Sequence, residues 1–391
     1  MKRLALGLGL LLGYGQPTDS VEAVRFLRRE VRRLCRFEGR APLTPGGRKA
    51  EAYLLKRLRQ MGYSPQTQRV PLSVYRLTHA EAQALTARGW TRWKLGEDFL
   101  PSAGCPPLQG EWPVDTLPRE GYAWWVPEPH PLTKVRQLAR EHGVALVLYP
   151  TPRLTGSIAP EPDSVAVVYR RGELQRPQQV RLRIQGRLEW GTAANVWVKR
   201  PGQRADSAWV VGAHYDHLGR VGSLTFWGAN DNASGTALLL LLAQRLVQKP
   251  PPPYDVYLVA FTAEELGLIG SQAWVASPPY PLARVRGMIN LDLVGFGEKG
   301  VAVVGGSDQP AFWERLDRLR VQQGWNVPLL VRPNAPNSDH YPFREKGVPA
   351  VFFYLQGGPG YYHDGQDRPA TLTWTGAYPL LRWIEEVLYL P

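Results

Sequence analysis

The sequence predicts an α/β fold: a mixed, largely parallel sheet with helices on both faces, plus a smaller inserted α+β domain. Three observations carry this expectation. From about residue 192 onward, short apolar runs rich in Val, Leu and Phe alternate with helical stretches, the pattern of strand–helix–strand units. One helical stretch, SGTALLLLLAQRLVQK, holds five successive leucines and is apolar all round, so it belongs inside the protein. Finally, histidines and carboxylates fall just where the apolar runs end, the edge at which open α/β sheets bind ligands.

In chain order, Met1-Lys2-Arg3 precedes the apolar stretch ALGLGLLLGYG, too short for the roughly twenty residues that span a bilayer. A basic start, a short Leu/Gly/Ala core and small residues at Gly13 and Gly15 are the features of a signal peptide over residues 1–15, which implies a secreted or periplasmic protein. Residues 19–62 read as helical with basic faces. The apolar positions Val24, Leu27, Val31 and Leu34 fit a period of about 3.6. Residues 64–75 look extended. Between 76 and 189 the texture becomes Pro- and Trp-rich, with one helix–strand unit, TKVRQLAREHGVALVLYP. This block reads as an inserted domain that interrupts a larger domain made of 16–75 and 190–391.

From there AANVWVKR, AWVVGAH, DVYLVAFT, RGMINLDLV, VAVVG and PAVFFYL are the expected strands. Between them lie the leucine helix, LIGSQAWVAS and AFWERLDRLRVQQG as helices, and KPPPP terminates the leucine helix.

Composition narrows the function classes. The 391 residues are 44% hydrophobic and 21% charged, which excludes global disorder. Two cysteines exclude a disulfide scaffold and a Cys-rich zinc module; Cys35 and Cys105 read equally well as a pair or as buried thiols. The 47 basic residues exceed the 34 acidic ones, a formal charge of +13. The arginines are scattered, with no basic run longer than three, so the expectation is an Arg-rich protein without a nucleic-acid partner. No later segment is long and apolar enough for stable membrane insertion.

The strand ends map the chemistry. AWVVGAH ends at His214, with Asp216 and His217 behind it. DVYLVAFT ends at Ala263-Glu264-Glu265, RGMINLDLV carries Asp292, and His363 follows PAVFFYL. Asp231 precedes the leucine helix. Singly, each has an ordinary reading: a capping or turn carboxylate, a solvated Glu pair, a surface His. Jointly, two His and several carboxylates without Cys suit Zn2+ or a similar ion in an open, hydrolytic site.

In order, VVGAHYDHLG, GANDNASGTALLL, AFTAEELGLIGSQAWV, MINLDLVG, SDHYPFREKGVPAVFF and YYHDGQDRP resemble the M28 family of di-zinc aminopeptidases. The resemblance covers about 192–391, and more weakly 20–70 through FEGRAPLTPGGRKAEAYLLKRL. It implies two Zn2+ per chain, one held by His214 and Asp292, the other by Glu265 and His363, with Asp231 bridging. It implies Glu264 as general base acting on a metal-bridging hydroxide, Asp216 orienting the His214 imidazole, and Tyr362 stabilising the oxyanion. The substrate would be a peptide with a free N-terminus. Where the family often has Thr or Ser after the last His, this chain has Asp364. His217 reads as a loop residue, and Asp339 and His340 as residues that shape their loop. The 76–189 block stands where relatives carry a protease-associated domain, and is expected to be either such a domain or a lid. A glutaminyl cyclase of the same fold is the alternative, although such enzymes put Trp where Tyr362 stands. A carboxypeptidase and a non-catalytic binding module rank lower. The oligomeric state is left open.

Overall fold

The helices that open the chain follow from side-chain spacing. The structure, a computed structural model, describes residues 17–128, 130–172 and 176–391; the leader expected at 1–15 lies outside them. In α1 (Pro17–Cys35), Leu27, Val31 and Leu34 recur every three or four residues and are fully buried, while the arginines take the opposite face. In α2 (Pro45–Gln60), Thr44 Oγ1 accepts the Gly47 N–H at 3.1 Å, satisfying a donor the helix itself leaves free. Pro45 sits at the first turn, where its fixed φ suits a helix start.

The extended segment expected at 64–75 is part of a much longer strand, Gln66–Thr86. It pairs antiparallel with Gln179–Arg200 from Gln66↔Trp197 to Leu85↔Gln179, with one irregularity between Leu77 and His79. The two strands run out of the main sheet as a ribbon. At its far end, strands Leu108–Asp115, Ala123–Trp125, Leu146–Thr151 and Ala166–Arg171 build a second core around Phe99, Trp125, Leu148 and Val168, while α3 (Leu132–Glu141) packs through Val135 and Ala139 on Trp124, Val147 and Val167.

The main sheet runs, in spatial order, Leu329–Arg332, Gly300–Val304, Ala350–Gln356, Val285–Leu291, Arg204–His214, Tyr254–Phe261 and Gln179–Arg200. The four strands from Ala350–Gln356 to Tyr254–Phe261 are mutually parallel. Gly300–Val304 and Gln179–Arg200 join them antiparallel, so the sheet is mixed and largely parallel. Tyr254–Phe261 is buried at every position, as a parallel strand covered on both faces must be.

Helices α4 (Gly235–Gln248), α5 (Ile269–Ala276), α6 (Pro310–Gln322), α7 (Tyr341–Glu345) and α8 (Ala377–Leu388) complete the layers. One core joins α1, α2, α4, α6 and α8 to one face of the sheet; α5 and α7 cover the other. Leu238–Leu242 are all buried in α4, each contributing roughly 1.5–3 kcal/mol. They lock the helix that follows the turn carrying Asp231. Among the described residues no helix is long and apolar enough to cross a membrane.

Candidate metal centre

Four parallel strands deliver their carboxyl ends to one edge, and the side chains there converge. His214 is the last residue of its strand, Asp292 directly follows Leu291, and Glu264–Glu265 follow Tyr254–Phe261 by two residues. The backbone turns sharply after two of these strands and at the last histidine: Ala263 (φ +54°), Leu293 (φ +56°) and His363 (φ +53°) all adopt left-handed conformations. Each costs on the order of 1–3 kcal/mol, a strain that concentrates at functional sites.

Asp231 is the hub. Its Oδ1 lies 3.3 Å from His214 Nε2 and its Oδ2 lies 3.2 Å from His363 Nε2, so each oxygen faces a different imidazole. His214 Nε2 also lies 3.4 Å from Asp292 Oδ1 and 3.9 Å from Glu264 Oε2. His363 Nε2 lies 3.0 Å from Glu265 Oε2. Two triads could each hold an ion, His214–Asp231–Glu265 and His214–Glu264–Asp292.

The supporting contacts fix these groups. The His214 Nδ1 side faces the Asp216 carbonyl at 3.3 Å, which leaves Nε2 directed at Asp231 and Asp292. The Asp216 carboxylate is 3.7 Å from Nδ1 and instead accepts the N–H groups of Glu264 and Glu265 at 3.2 and 3.4 Å. Asp292 Oδ2 accepts Ser338 Oγ–H at 2.8 Å. Asp367 accepts the N–H of Asn230 at 2.8 Å and of Asp231 at 3.1 Å, tying down the bridging turn. Gly228 sits so close to His217 that a Cβ there would come within 2.5 Å of the ring.

The residues present fit divalent cations. His214 Nε2, His363 Nε2 and Asp292 Oδ1 are buried yet have no hydrogen-bond partner, which buried polar atoms rarely tolerate. Burial pushes the Glu264 carboxyl well above its ordinary range, and the neighbouring Glu265 carboxylate adds to the shift. Burial opposes protonation of His363, but Glu265 and Asp231 outweigh it and hold the ring up at about 11. Such crowding of carboxylates against two imidazoles is relieved by positive charge.

The residues read from the sequence as ligands and base therefore meet at one place. Tyr362 differs: its ring stacks on His363 at 3.9 Å but is 59% exposed at the rim. His217 is buried and its Nδ1 donates to Glu265 Oε1 at 2.6 Å, so it does more than the loop residue expected from sequence. Asp339 and His340 are buried off the cluster; burial first, with nearby carboxylates, lifts Asp339 to about 7, and burial lowers His340 to about 4. Ser338, Asp367 and Arg40 carry no signal in the sequence beyond their place inside the blocks quoted above. Beside Asp231 and Tyr362 opens a cavity of about 320 Å³, walled by Leu293, Phe296, Tyr354 and Leu355.

An α/β sheet with this histidine–carboxylate cluster at its strand ends defines a metallohydrolase scaffold. Residues 195–387 match Peptidase family M28, and over that segment the chain belongs to the family. Aminopeptidase YwaD of Bacillus subtilis is 30% identical over 233 residues, 56% of this chain and 48% of that protein. Leupeptin-inactivating enzyme 1 of Streptomyces exfoliatus is 30% identical over 161 residues, 40% of this chain and 35% of its own. The chain thus spans half or less of the length of these relatives. The zinc aminopeptidase BSAP from Bacillus subtilis shares the fold with a TM-score of 0.76 at 20% identity, over 94% of this chain and 95% of that one. A Porphyromonas gingivalis glutaminyl cyclase aligns with a TM-score of 0.54 at 17% identity, over 94% and 97% of the two chains.

Proposed function

We propose that this protein is a zinc-dependent aminopeptidase that hydrolyses the N-terminal peptide bond of peptides. The observation that carries the reading is Asp231, whose two oxygens face His214 and His363 separately, with Glu264 beside them. His214 and Asp292 would hold one ion, Glu265 and His363 a second, and Asp231 would contact both. Two zinc ions there supply Lewis acidity and a water of lowered pKa. Glu264, with its side chain 13% exposed, takes the water's proton and passes it to the departing amine. Asp216 holds Glu264 and Glu265 through their backbone, so the base and the adjacent ligand keep a fixed spacing. Tyr362, stacked on His363, offers its hydroxyl to the developing oxyanion. The free amine of the substrate meets the carboxylate-rich face, and its first side chain enters the cavity walled by Leu293, Phe296, Tyr354 and Leu355, which favours apolar residues. The leader-like residues 1–15 support export to the periplasm or the medium.

The test is metal analysis of purified protein together with activity on a panel of aminoacyl chromogenic amides. The expected result is about two zinc per chain, activity lost on chelation and regained with zinc, and apolar residues preferred. Glu264→Gln is expected to keep its zinc but lose about 10²–10⁴-fold in kcat. Full activity in that variant would remove Glu264 from its role. On a peptide beginning with glutamine, pyroglutamate formation without chain shortening would replace hydrolysis with cyclisation.

A further inference from the structure

Arginines that stand apart in sequence converge in the fold. A groove of about 1230 Å³ runs between α1 and α2, floored by Trp374, Tyr378 and Pro379. Helix α1 contributes Arg25, Arg28, Arg29, Arg32 and Arg33, the turn after it contributes Arg36, and α2 adds Lys56 and Arg57. Glu30 is the one carboxylate lining it. That charge is already spent: Glu30 accepts from Arg29 at 3.2 Å, from Arg57 at 3.0 Å and from the Tyr53 hydroxyl. Arg25, Arg28, Arg32 and Arg36 are exposed and have no carboxylate partner among the described residues. A spacing of three or four keeps Arg25, Arg28 and Arg32 on one face over about 10 Å of helix, and Arg36 follows just past its end.

We propose that this groove binds the backbone of a single-stranded nucleic acid. A cluster of uncompensated like charges costs stability unless a polyanion neutralises it. The guanidinium fork matches phosphate bidentately, and seven of the eight basic groups are arginines. Concavity favours a chain over a flat bilayer, and among the lining residues Val21 is the only exposed large apolar side chain that could enter one. Base-specific readout is absent: the hydroxyls of Tyr53 and Tyr378 are held by Glu30 and Asp19, and Trp374 is buried. Recognition is therefore through phosphates and independent of sequence. This proposal does not rest on the peptidase reading.

The test is fluorescence anisotropy of the full chain with a labelled 20-nucleotide oligo-dT between 50 and 300 mM NaCl. Binding is expected to weaken with salt, with a log–log slope of about −0.7 per phosphate contacted. Replacing Arg25, Arg28, Arg32 and Arg36 by Gln is expected to weaken binding about tenfold or more at low salt and to flatten the slope. A charge-matched control replaces the exposed Arg183 and Arg187 of the ribbon and Arg88 and Arg92 of the hairpin that follows Thr86, and is expected to bind as the parent does. Circular dichroism and urea unfolding establish that both variants fold. No saturable binding, or equal loss in both variants, overturns the proposal. Binding to phosphatidylglycerol vesicles without binding to the oligonucleotide overturns it in favour of a membrane surface.

Discussion

His217 Nδ1 lies 2.6 Å from Glu265 Oε1, while the other oxygen of Glu265 lies 3.0 Å from His363. One carboxylate is thus held from behind by one histidine while it faces a second. A group so oriented loses no rotamer freedom when an ion arrives. His217→Ala is expected to weaken metal binding about 10–100-fold without unfolding the protein. Competition with a chromophoric chelator measures this, and wild-type affinity in the variant would reduce His217 to packing.

Arg40 is fully buried and pairs with no carboxylate among the described residues. Instead it donates to the carbonyls of Tyr215, Trp227 and Gly228 at 2.8, 2.9 and 2.8 Å. It ties the loop after His214 to the turn before Asp231. Arg40→Met strands three buried acceptors, each worth on the order of 1–3 kcal/mol. A loss of about 3 kcal/mol or more is expected in urea unfolding, and it would be accompanied by reduced zinc content. A change below about 0.5 kcal/mol would show that the carbonyls find other donors.

The insertion reaches the site through residues 153–156. The Gly156 N–H donates to the His363 carbonyl at 2.9 Å, and Arg153 lies 3.5 Å from Asp364. A Cβ on Gly156 would meet the Phe226 ring at 2.5 Å, so Gly156→Ala pushes the loop away. The expected outcome is a several-fold fall in kcat with the melting temperature nearly unchanged. Unaltered kinetics would mean that His363 is held without this contact.

Cys35 and Cys105 are both buried and unpaired, and burial pushes each thiol up to about 12. In the unfolded chain thiols ionise near 8.5. Between those values the unfolded state loses protons that the folded state keeps, so stability falls as pH rises through that window. A thiol reagent at pH 8 is expected to label neither cysteine until denaturant is added, then two per chain. A count of zero after denaturation would reveal a disulfide.

Asp19 anchors the start of α1. Partial burial works against its charge, but the Tyr378 hydroxyl at 2.7 Å and Arg245 at 2.8 Å hold its carboxyl below the ordinary value. A depressed carboxylate stabilises above its unfolded pKa, and that stability is lost as pH falls through the folded value. Hydrogen exchange should therefore show α1 loosening first on acidification below about pH 4. Asp19→Asn is expected to loosen it at neutral pH. Protection of α1 that is unchanged in both conditions would remove the anchor.

Much of this protein was legible in order. The strands ending at His214, Phe261 and Leu291, and the leucine helix, announce themselves because burial on both faces demands uninterrupted apolar runs. The strand-end rule then gathers His214, Asp231, Glu264, Glu265, Asp292 and His363 before any coordinates exist. What sequence could not supply depends on distance in space. His217 reads as a loop residue until Glu265, forty-eight positions away, is beside it. Arg40 looks like one more arginine until carbonyls 175 to 188 residues later close around it. The charge shows the same limit. Runs of no more than three basic residues look dispersed along the chain, yet a helical period of 3.6 and the docking of α2 on α1 bring eight of them to one groove. Local pattern sets which residues are helical, buried or at a strand end. Only packing decides which charges are neutralised and which are left facing solvent together.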